Sequence, residues 1–321
     1  MPRVSTLEIE GLKVDIASNA GVHHIIRGIS MDVDKKEVVR LIGESGSGKS
    51  TLAQSVLDIN KKGRSLSGHI RLMGKEITGL EYKDIRSIRG RHIGYIPQSS
   101  MNALDPLMSV RKQLAETIDA HEKVSKTDQQ TMIDKALEGV GISSSMADKR
   151  AYELSGGQAQ RAMIAMAMLL SPDLIIADEP TTGLDAIIKR SIMRLMRDEA
   201  KEKESSLLVI SHDMQAISMI CDRIYIMYGG IILEQGKAAD MLNVPSHPYT
   251  RMLLGSRIET SSGVRTIKGI PGAPPSTLEE YKGCVFYDRC ERRMDICRRS
   301  PPSMRYGRTS YRCYLEANNG A

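Results

Sequence analysis

The run Gly43-Glu44-Ser45-Gly46-Ser47-Gly48-Lys49-Ser50 constrains this chain more than any other stretch. It joins the apolar segment Val38-Val39-Arg40-Leu41-Ile42 to a helical pattern beginning near Thr51. The run fits G-x-x-x-x-G-K-S in the strand–loop–helix setting which that pattern requires. Its glycines allow a tight path that turns successive N–H groups toward one anion, and the helix behind adds its positive end. Lys49 is then placed to reach the outer phosphates of a nucleotide as a point charge, and the Ser50 hydroxyl to ligate magnesium. Gly43, Ser45, Gly46, Ser47, Gly48 and Thr51 line the same expected site. A glycine turn that binds nothing is the bland alternative, and the strand, loop, lysine and serine occurring in order argue against it.

Two more apolar runs of strand length, Leu174-Ile175-Ile176-Ala177 and Leu207-Leu208-Val209-Ile210, each end at a polar residue. Continuous apolar strands alternating with helices imply a parallel sheet covered on both faces, with chemistry at the strands' C-terminal ends. Arg40 is an odd guest in such a strand, since a buried charge needs a partner. Asp178-Glu179 follows the second strand. Beside a phosphate loop, Asp178 is the candidate magnesium partner and Glu179 the group that orients or deprotonates an attacking water. An acidic pair after a strand is often only a solvated turn; the phosphate loop gives this one its weight.

Residues 107–159 interrupt the α/β pattern with a helical stretch, in which Met132, Ile133, Ala136, Leu137 and Val140 form one apolar face. At its end, Leu154-Ser155-Gly156-Gly157-Gln158 precedes a helical run near Ala159 and offers a second set of backbone donors at a helix start. Ile224–Met227 and Ile231–Leu233, joined through Gly229-Gly230, read as strands closing a first domain, 1–240. A second, 241–321, is rich in Pro, Gly and Cys.

With 321 residues, 26% charged and 41% hydrophobic, the chain is no disordered polymer. Its longest uncharged apolar stretch, Ala162–Leu170, is about half of what a bilayer-spanning helix needs. The N-terminus lacks the apolar core of a secretion signal, so a cytoplasmic location is expected. The formal net charge is +6, and Lys282 to Arg312 alone holds nine basic against three acidic residues. Six of the twelve aromatic residues lie between Tyr281 and Tyr314. Basic residues interleaved with aromatics can bind nucleic acid.

The motifs together resemble the ATP-binding subunits of ABC transporters over roughly residues 5 to 240. Gln98 in Tyr95-Ile96-Pro97-Gln98 is similar to the family's Q-loop glutamine, Leu154 to Gln158 to its signature, Asp185 in Thr182-Gly183-Leu184-Asp185 to its D-loop, and His212 in Ser211-His212-Asp213 to its switch histidine. The resemblance implies an α/β P-loop core with the inserted helical subdomain, an N-terminal antiparallel β portion and a small irregular C-terminal domain. It implies ATP and magnesium as ligands. By the same resemblance, Lys49, Gln98, Glu179 and His212 are expected to act in catalysis, and Ser50, Gln98 and Asp178 to attend the metal. It implies that two such subunits, copies or paralogues, pair head to tail, so that Ser155, Gly157, Gln158 and Asp185 of one meet the nucleotide on the other. The resemblance also implies that the loop from Asn102 to Ser109 meets a membrane partner. The family stacks adenine on an aromatic residue upstream of the phosphate loop; here His23 or His24 falls in that region.

Four of the five cysteines, Cys284, Cys290, Cys297 and Cys313, are spaced C-x₅-C-x₆-C-x₁₅-C, and Cys221 stands apart as a small hydrophobe. Clustered cysteines in a cytoplasmic chain suggest a metal. The spacing leaves an iron–sulfur cluster, zinc and free thiols open. His247-Pro248-Tyr249-Thr250, Gly269-Ile270-Pro271-Gly272 and Gly283-Cys284-x-Phe286-x-x-Arg289-Cys290 resemble the C-terminal extension of the dipeptide and oligopeptide importer branch. That resemblance implies a 4Fe-4S cluster on the four cysteines, whose negative charge the surrounding arginines would offset. It also implies peptide import through two transmembrane permeases with an external solute-binding protein, at the cytoplasmic face of the cell membrane. The same machinery importing oligosaccharide or nickel is the alternative. A nucleic-acid- or ribosome-directed ATPase of this class is the rival, and no nucleic-acid partner is expected.

Overall fold

The computed structural model describes residues 5–59, 62–98, 103–212, 221–255, 259–261, 264–266 and 270–316. Asn102, Asp213 and Gly269, in three of the motifs above, lie outside them. Two long strands open the chain, β1 (Ser5–Ser18) and β2 (Gly21–Asp34), followed by the short buried β3 (Val38–Ile42). β1 lies between β2 and β4 (Arg64–Leu72), antiparallel to both, and β5 (Lys75–Glu76) closes that sheet. This is the expected antiparallel portion. Its inward residues Leu7, Ile9, Leu12, Val14, Ile26 and Val33 are almost fully buried, so one face of the sheet is apolar and packs on the core.

The second sheet takes β3 into its middle. Its other strands are β6 (Ile93–Ile96), β7 (Leu174–Asp178), β8 (Ser206–Ser211), β9 (Arg223–Tyr228) and β10 (Ile231–Lys237). After the small hairpin β11 (Glu259–Ser261) and β12 (Val264–Thr266), the chain returns to this sheet with β13 (Arg305–Tyr306) and β14 (Ser310–Tyr311). The order is β13-β14-β10-β9-β3-β8-β7-β6, parallel from β6 to β9 and antiparallel beyond. Both faces are covered, as the unbroken apolar runs require. Ile175, Ala177, Leu207 and Val209 pack with the helical segment, whereas Leu174, Ile176, Leu208 and Ile210 pack with β1 and β2. Arg40 is 2% exposed in β3. Its positive charge acts on the neighbouring Cys221, whose thiol burial pushes up to about 11.

The helical segment comprises Val110–Asp119, Lys126–Gly139 and Ser144–Ala147, then Gly156–Met168, which runs back under the sheet. Ser109 and Ser125 cap the first two, each accepting from a backbone N–H three residues on. Ile133, Ala136, Leu137 and Val140 are buried, as the spacing predicts. The helix after the signature begins at Gly156 rather than near Ala159. Ser155 and Gln158 form a capping box that fixes the earlier start.

Candidate nucleotide site and the cysteine segment

β3 delivers the chain into the phosphate loop, and Gly48, at φ +102°, is the N-cap of the helix Lys49–Val56. A Cβ on Gly48 would stand 2.8 Å from Met227 Cε and 2.9 Å from the Ile25 carbonyl, and one on Gly43 would collide with the Met227 carbonyl. Glycine is therefore required at both places by β2 and β9, which wall the loop in. Gly46, at φ +78°, needs its left-handed backbone alone. Lys49 is 4% exposed, and its Nζ donates to the carbonyls of Gly43 and Glu44 at 2.8 Å and to Ser47 Oγ at 3.3 Å. Burial lowers its pKa, opposed by Glu179, Asp178 and Glu44, so three carboxylates lie within electrostatic reach of one ammonium.

Asp178 ends β7 at 2% exposure. Burial raises its pKa against hydrogen bonds from Ser50 and Tyr95, with the charge of Glu179 adding to the rise. Its Oδ1 is buried without a hydrogen-bond partner among the described residues. A buried, unsatisfied carboxylate oxygen beside a serine hydroxyl is a donor set that suits a hard cation. The residues expected to hold magnesium thus fit it. Gln98 is exposed just past β6, whose Ile96 pairs with Ala177 of β7, so it stands at the same end of the sheet as Asp178.

Glu179 adopts φ +48°, unusual for a residue with a side chain. Its N–H donates to the Ile210 carbonyl at 2.9 Å. Its Oε2 accepts from Thr182 Oγ1 at 3.0 Å, and its Oε1 lies 2.7 Å from His212 Nδ1. A carboxylate only accepts, so Nδ1 is the donor. Glu179 is mostly shielded while His212 is 58% exposed, which sets a held base beside a partner open to solvent.

The signature and D-loop residues use their polar groups locally. Ser155 and Gln158 cap each other, Gly157 lies nearest to Ile188, and Asp185 Oδ1 accepts from the N–H groups of Ile187 and Ile188 at 2.9 and 3.0 Å. Among the described residues, none of them hydrogen-bonds to the phosphate loop of the same chain. His23 lies opposite Ile16 in the β1–β2 register. Its ring nitrogens are 2.8 Å from Thr277 Oγ1 and 3.0 Å from Ser18 Oγ, and His24 Nδ1 is 2.7 Å from Asp15 Oδ1. The β2 residue that abuts the loop is Ile25. Tyr95 beside Asp178, Thr182 beside Glu179 and Tyr249, whose hydroxyl accepts from the Glu44 N–H at 3.1 Å, were given no role by sequence reading.

Cys284, Cys290, Cys297 and Cys313 line one small cavity with Phe286, Tyr287, His247 and the arginines 292 and 293. The Cys284 N–H donates to the Cys297 carbonyl at 2.7 Å, and all four are free thiols. Burial pushes the Cys284 thiol up to about 12, and it raises Cys290 and Cys313 too. Among the described residues, no three Cys, His, Asp or Glu stand close enough to hold an ion. The cysteines expected to carry 4Fe-4S therefore share a cavity without forming a ready-made metal site. Several aromatic residues of the basic tail are engaged internally, with Arg27 over Tyr281 and Arg293 over Tyr287, 5.1 and 5.8 Å from the ring centres.

Fold and site define a P-loop ATPase of the ATP-binding-cassette class. A family model described as ABC transporter matches residues 26–182, and one described as oligopeptide/dipeptide transporter, C-terminal region, matches 233–297. The oligopeptide transport ATP-binding protein OppD of Bacillus subtilis is 38% identical over 95% of this chain and 87% of its own length. The probable D,D-dipeptide transport ATP-binding protein DdpD of Escherichia coli is 34% identical over 96% and 95%. Among solved structures, cbiO1 of Clostridium perfringens, part of the cbiONQ transporter complex, is 30% identical, with TM-score 0.65 over 74% of this chain and 90% of that one. This chain belongs to the ABC transporter family, among its ATP-binding subunits of the oligopeptide and dipeptide branch. Among the described residues, no helix is long and apolar enough to cross a membrane.

Proposed function

We propose that this chain hydrolyses ATP to power import of oligopeptides or dipeptides, at the cytoplasmic face of the cell membrane. It works with two permease subunits and an external solute-binding protein. The observation that carries the ATPase reading is the meeting of Lys49, Ser50, Asp178, Glu179 and His212 at the C-terminal ends of adjacent strands. Lys49 and the loop N–H groups hold the phosphates. Ser50 and the open oxygen of Asp178, with Gln98 nearby, would hold magnesium, whose charge would offset that of the phosphates. Glu179, fixed by Thr182 and His212, accepts the proton of the attacking water. His212 leaves Glu179 for the γ-phosphate as the site closes. Ser155, Gly157, Gln158 and Asp185 serve the nucleotide of a second ATPase subunit, a copy or a paralogue, and His23 borders the base.

Peptide as the solute is supported by the C-terminal match and by the names of the relatives. Reconstitution with the permeases in liposomes tests it. Peptide-loaded binding protein should accelerate phosphate release, and stimulation by nickel or an oligosaccharide but by no peptide would overturn it. The four cysteines are read as holders of a 4Fe-4S cluster. Support comes from their common cavity and from Arg292 and Arg293, whose charge offsets thiolates. Anaerobic purification should give absorbance at about 400 nm with bound iron; a colourless, iron-free protein would end this reading.

A further inference from the structure

The sequence motifs that the nucleotide site leaves unused converge on one residue of the phosphate loop. Glu44 is the first variable position of that loop; two segments more than two hundred residues downstream reach it, and a third holds one of them in place. Tyr249 of the His247–Thr250 motif takes the Glu44 N–H. Arg289 of the Cys284–Cys290 motif grips its carboxylate with both ends of the guanidinium, Nη1 to Oε2 at 2.6 Å and Nη2 to Oε1 at 3.0 Å. The Ile270-Pro271-Gly272 segment holds Arg289 itself. The Pro271 carbonyl accepts from Nε at 2.8 Å, the Ile270 carbonyl from Nη2 at 2.9 Å, and Gly272, at φ +84°, leaves room for the arginine stem, which a Cβ would meet at 3.1 Å. Tyr228 completes the cradle through its hydroxyl at 3.2 Å and its ring. The arginine side chain is 5% exposed and that of Glu44 25%.

This is an expensive arrangement for a surface tether. A bidentate, nearly buried arginine with its other donors on two backbone carbonyls and a tyrosine hydroxyl is held in one position. The charge it neutralises sits in the loop that must receive a polyanion, close enough for Glu44 to act on the Lys49 ammonium. Left alone, the Glu44 carboxylate would repel incoming phosphates and draw the Lys49 ammonium toward itself. We propose that Arg289 is a positioning residue of the nucleotide site: it neutralises and orients Glu44, and so sets the affinity of the phosphate loop for Mg-ATP from within the C-terminal segment. The proposal rests on reading residues 43–50 as the ATP phosphate loop. It places control of that loop in the peptide immediately before Cys290.

Calorimetric titration of the purified full chain with Mg-ATP tests this through the sign of each effect. Arg289→Gln should weaken binding about tenfold, the effect of one uncompensated charge near the phosphates. Its KM for ATP should rise in step while kcat at saturation stays within about twofold, since the base and the metal ligands are untouched. Glu44→Gln should bind at least as tightly as the parent. Adding Glu44→Gln to Arg289→Gln should restore affinity to within about threefold of the parent, because the repelling charge is gone. Arg289→Lys, which keeps the charge but loses the fork, should fall between. A double variant as weak as Arg289→Gln would mean that lost packing, not charge, is responsible, and would overturn the proposal. So would Arg289→Gln binding like the parent. Thermal melting without nucleotide reports whether each variant folds. If Arg289→Gln does not, Glu44→Gln alone decides, weaker binding refuting the charge argument. A parent chain that retains no Mg-ATP would instead refute the reading of the loop itself.

Discussion

His247 offers a test in which pH is the perturbation. It is 1% exposed beneath Phe286, and its Nδ1 accepts the Tyr249 N–H at 3.0 Å. Protonation would put a hydrogen where that N–H already points and a charge where water cannot reach. Burial accordingly lowers its pKa from 6.5 to about 3, against an opposing hydrogen bond with the Arg312 backbone. The unfolded chain takes up this proton near pH 6.5 and the folded chain resists it down to about 3. The stability tied to neutral His247 is thus complete above pH 6.5 and declines as the pH falls through the window between the two values. At about pH 5 the deficit is about 1.5 pH units, or about 2 kcal/mol. For a chain of this size that lowers the melting midpoint by about 4 °C. His247→Asn keeps an acceptor for Tyr249 and cannot titrate. Melting curves of both proteins between about pH 7.5 and pH 5 isolate the effect, since they share every other ionising group. The parent should lose about 4 °C more than the variant over that range. Midpoints that fall in parallel would refute the buried neutral imidazole as a source of acid sensitivity.

Glu179→Gln should slow phosphate release by about 10² to 10⁴ while Mg-ATP is retained, and size-exclusion chromatography should then show an ATP-dependent dimer; turnover at the parent rate would remove Glu179 as the base. Gly48→Ala forces a side chain into a left-handed backbone, costing about 1–2 kcal/mol before the contacts with Met227 and the Ile25 carbonyl are counted. Its melting midpoint should fall and calorimetric ATP binding disappear, so parent-like melting and binding would show that the loop can give way.

The parts of the site legible in the sequence are those in which one short segment fixes both backbone and chemistry. The phosphate loop carries its own strand, glycines and helix start. Asp178-Glu179 is aimed by the apolar strand before it, and the Ser155–Gln158 turn by its own capping box. The helical face from Met132 to Val140 shows in its spacing because a helix repeats. Other features had no such signal. Arg305–Tyr306 and Ser310–Tyr311 are too short to show a strand period, yet they extend the core sheet through Glu234 and Gln235. Tyr95 is one residue among apolar neighbours until β6 sets it beside Asp178.

Arg289 and Glu44 are 245 positions apart, and a pairing over that distance is specified by the elements that bring the ends together rather than by either residue. Here the elements are β9 and β10 with the aromatic group of Tyr228, Tyr249 and Phe286, whose ring centres lie 4.7 to 5.2 Å apart. That cluster includes Ile42, the residue before the phosphate loop, and packs against Cys284 and Cys290. One apolar core thus carries the end of β3 on one side and the cysteine segment on the other. A shift of the cysteine segment large enough to disturb these rings must also move either Ile42 or Arg289, because close-packed interiors yield little room. The C-terminal segment is therefore mechanically continuous with the nucleotide loop, which a reading of residues 241–321 as an appendage with its own metal chemistry does not convey.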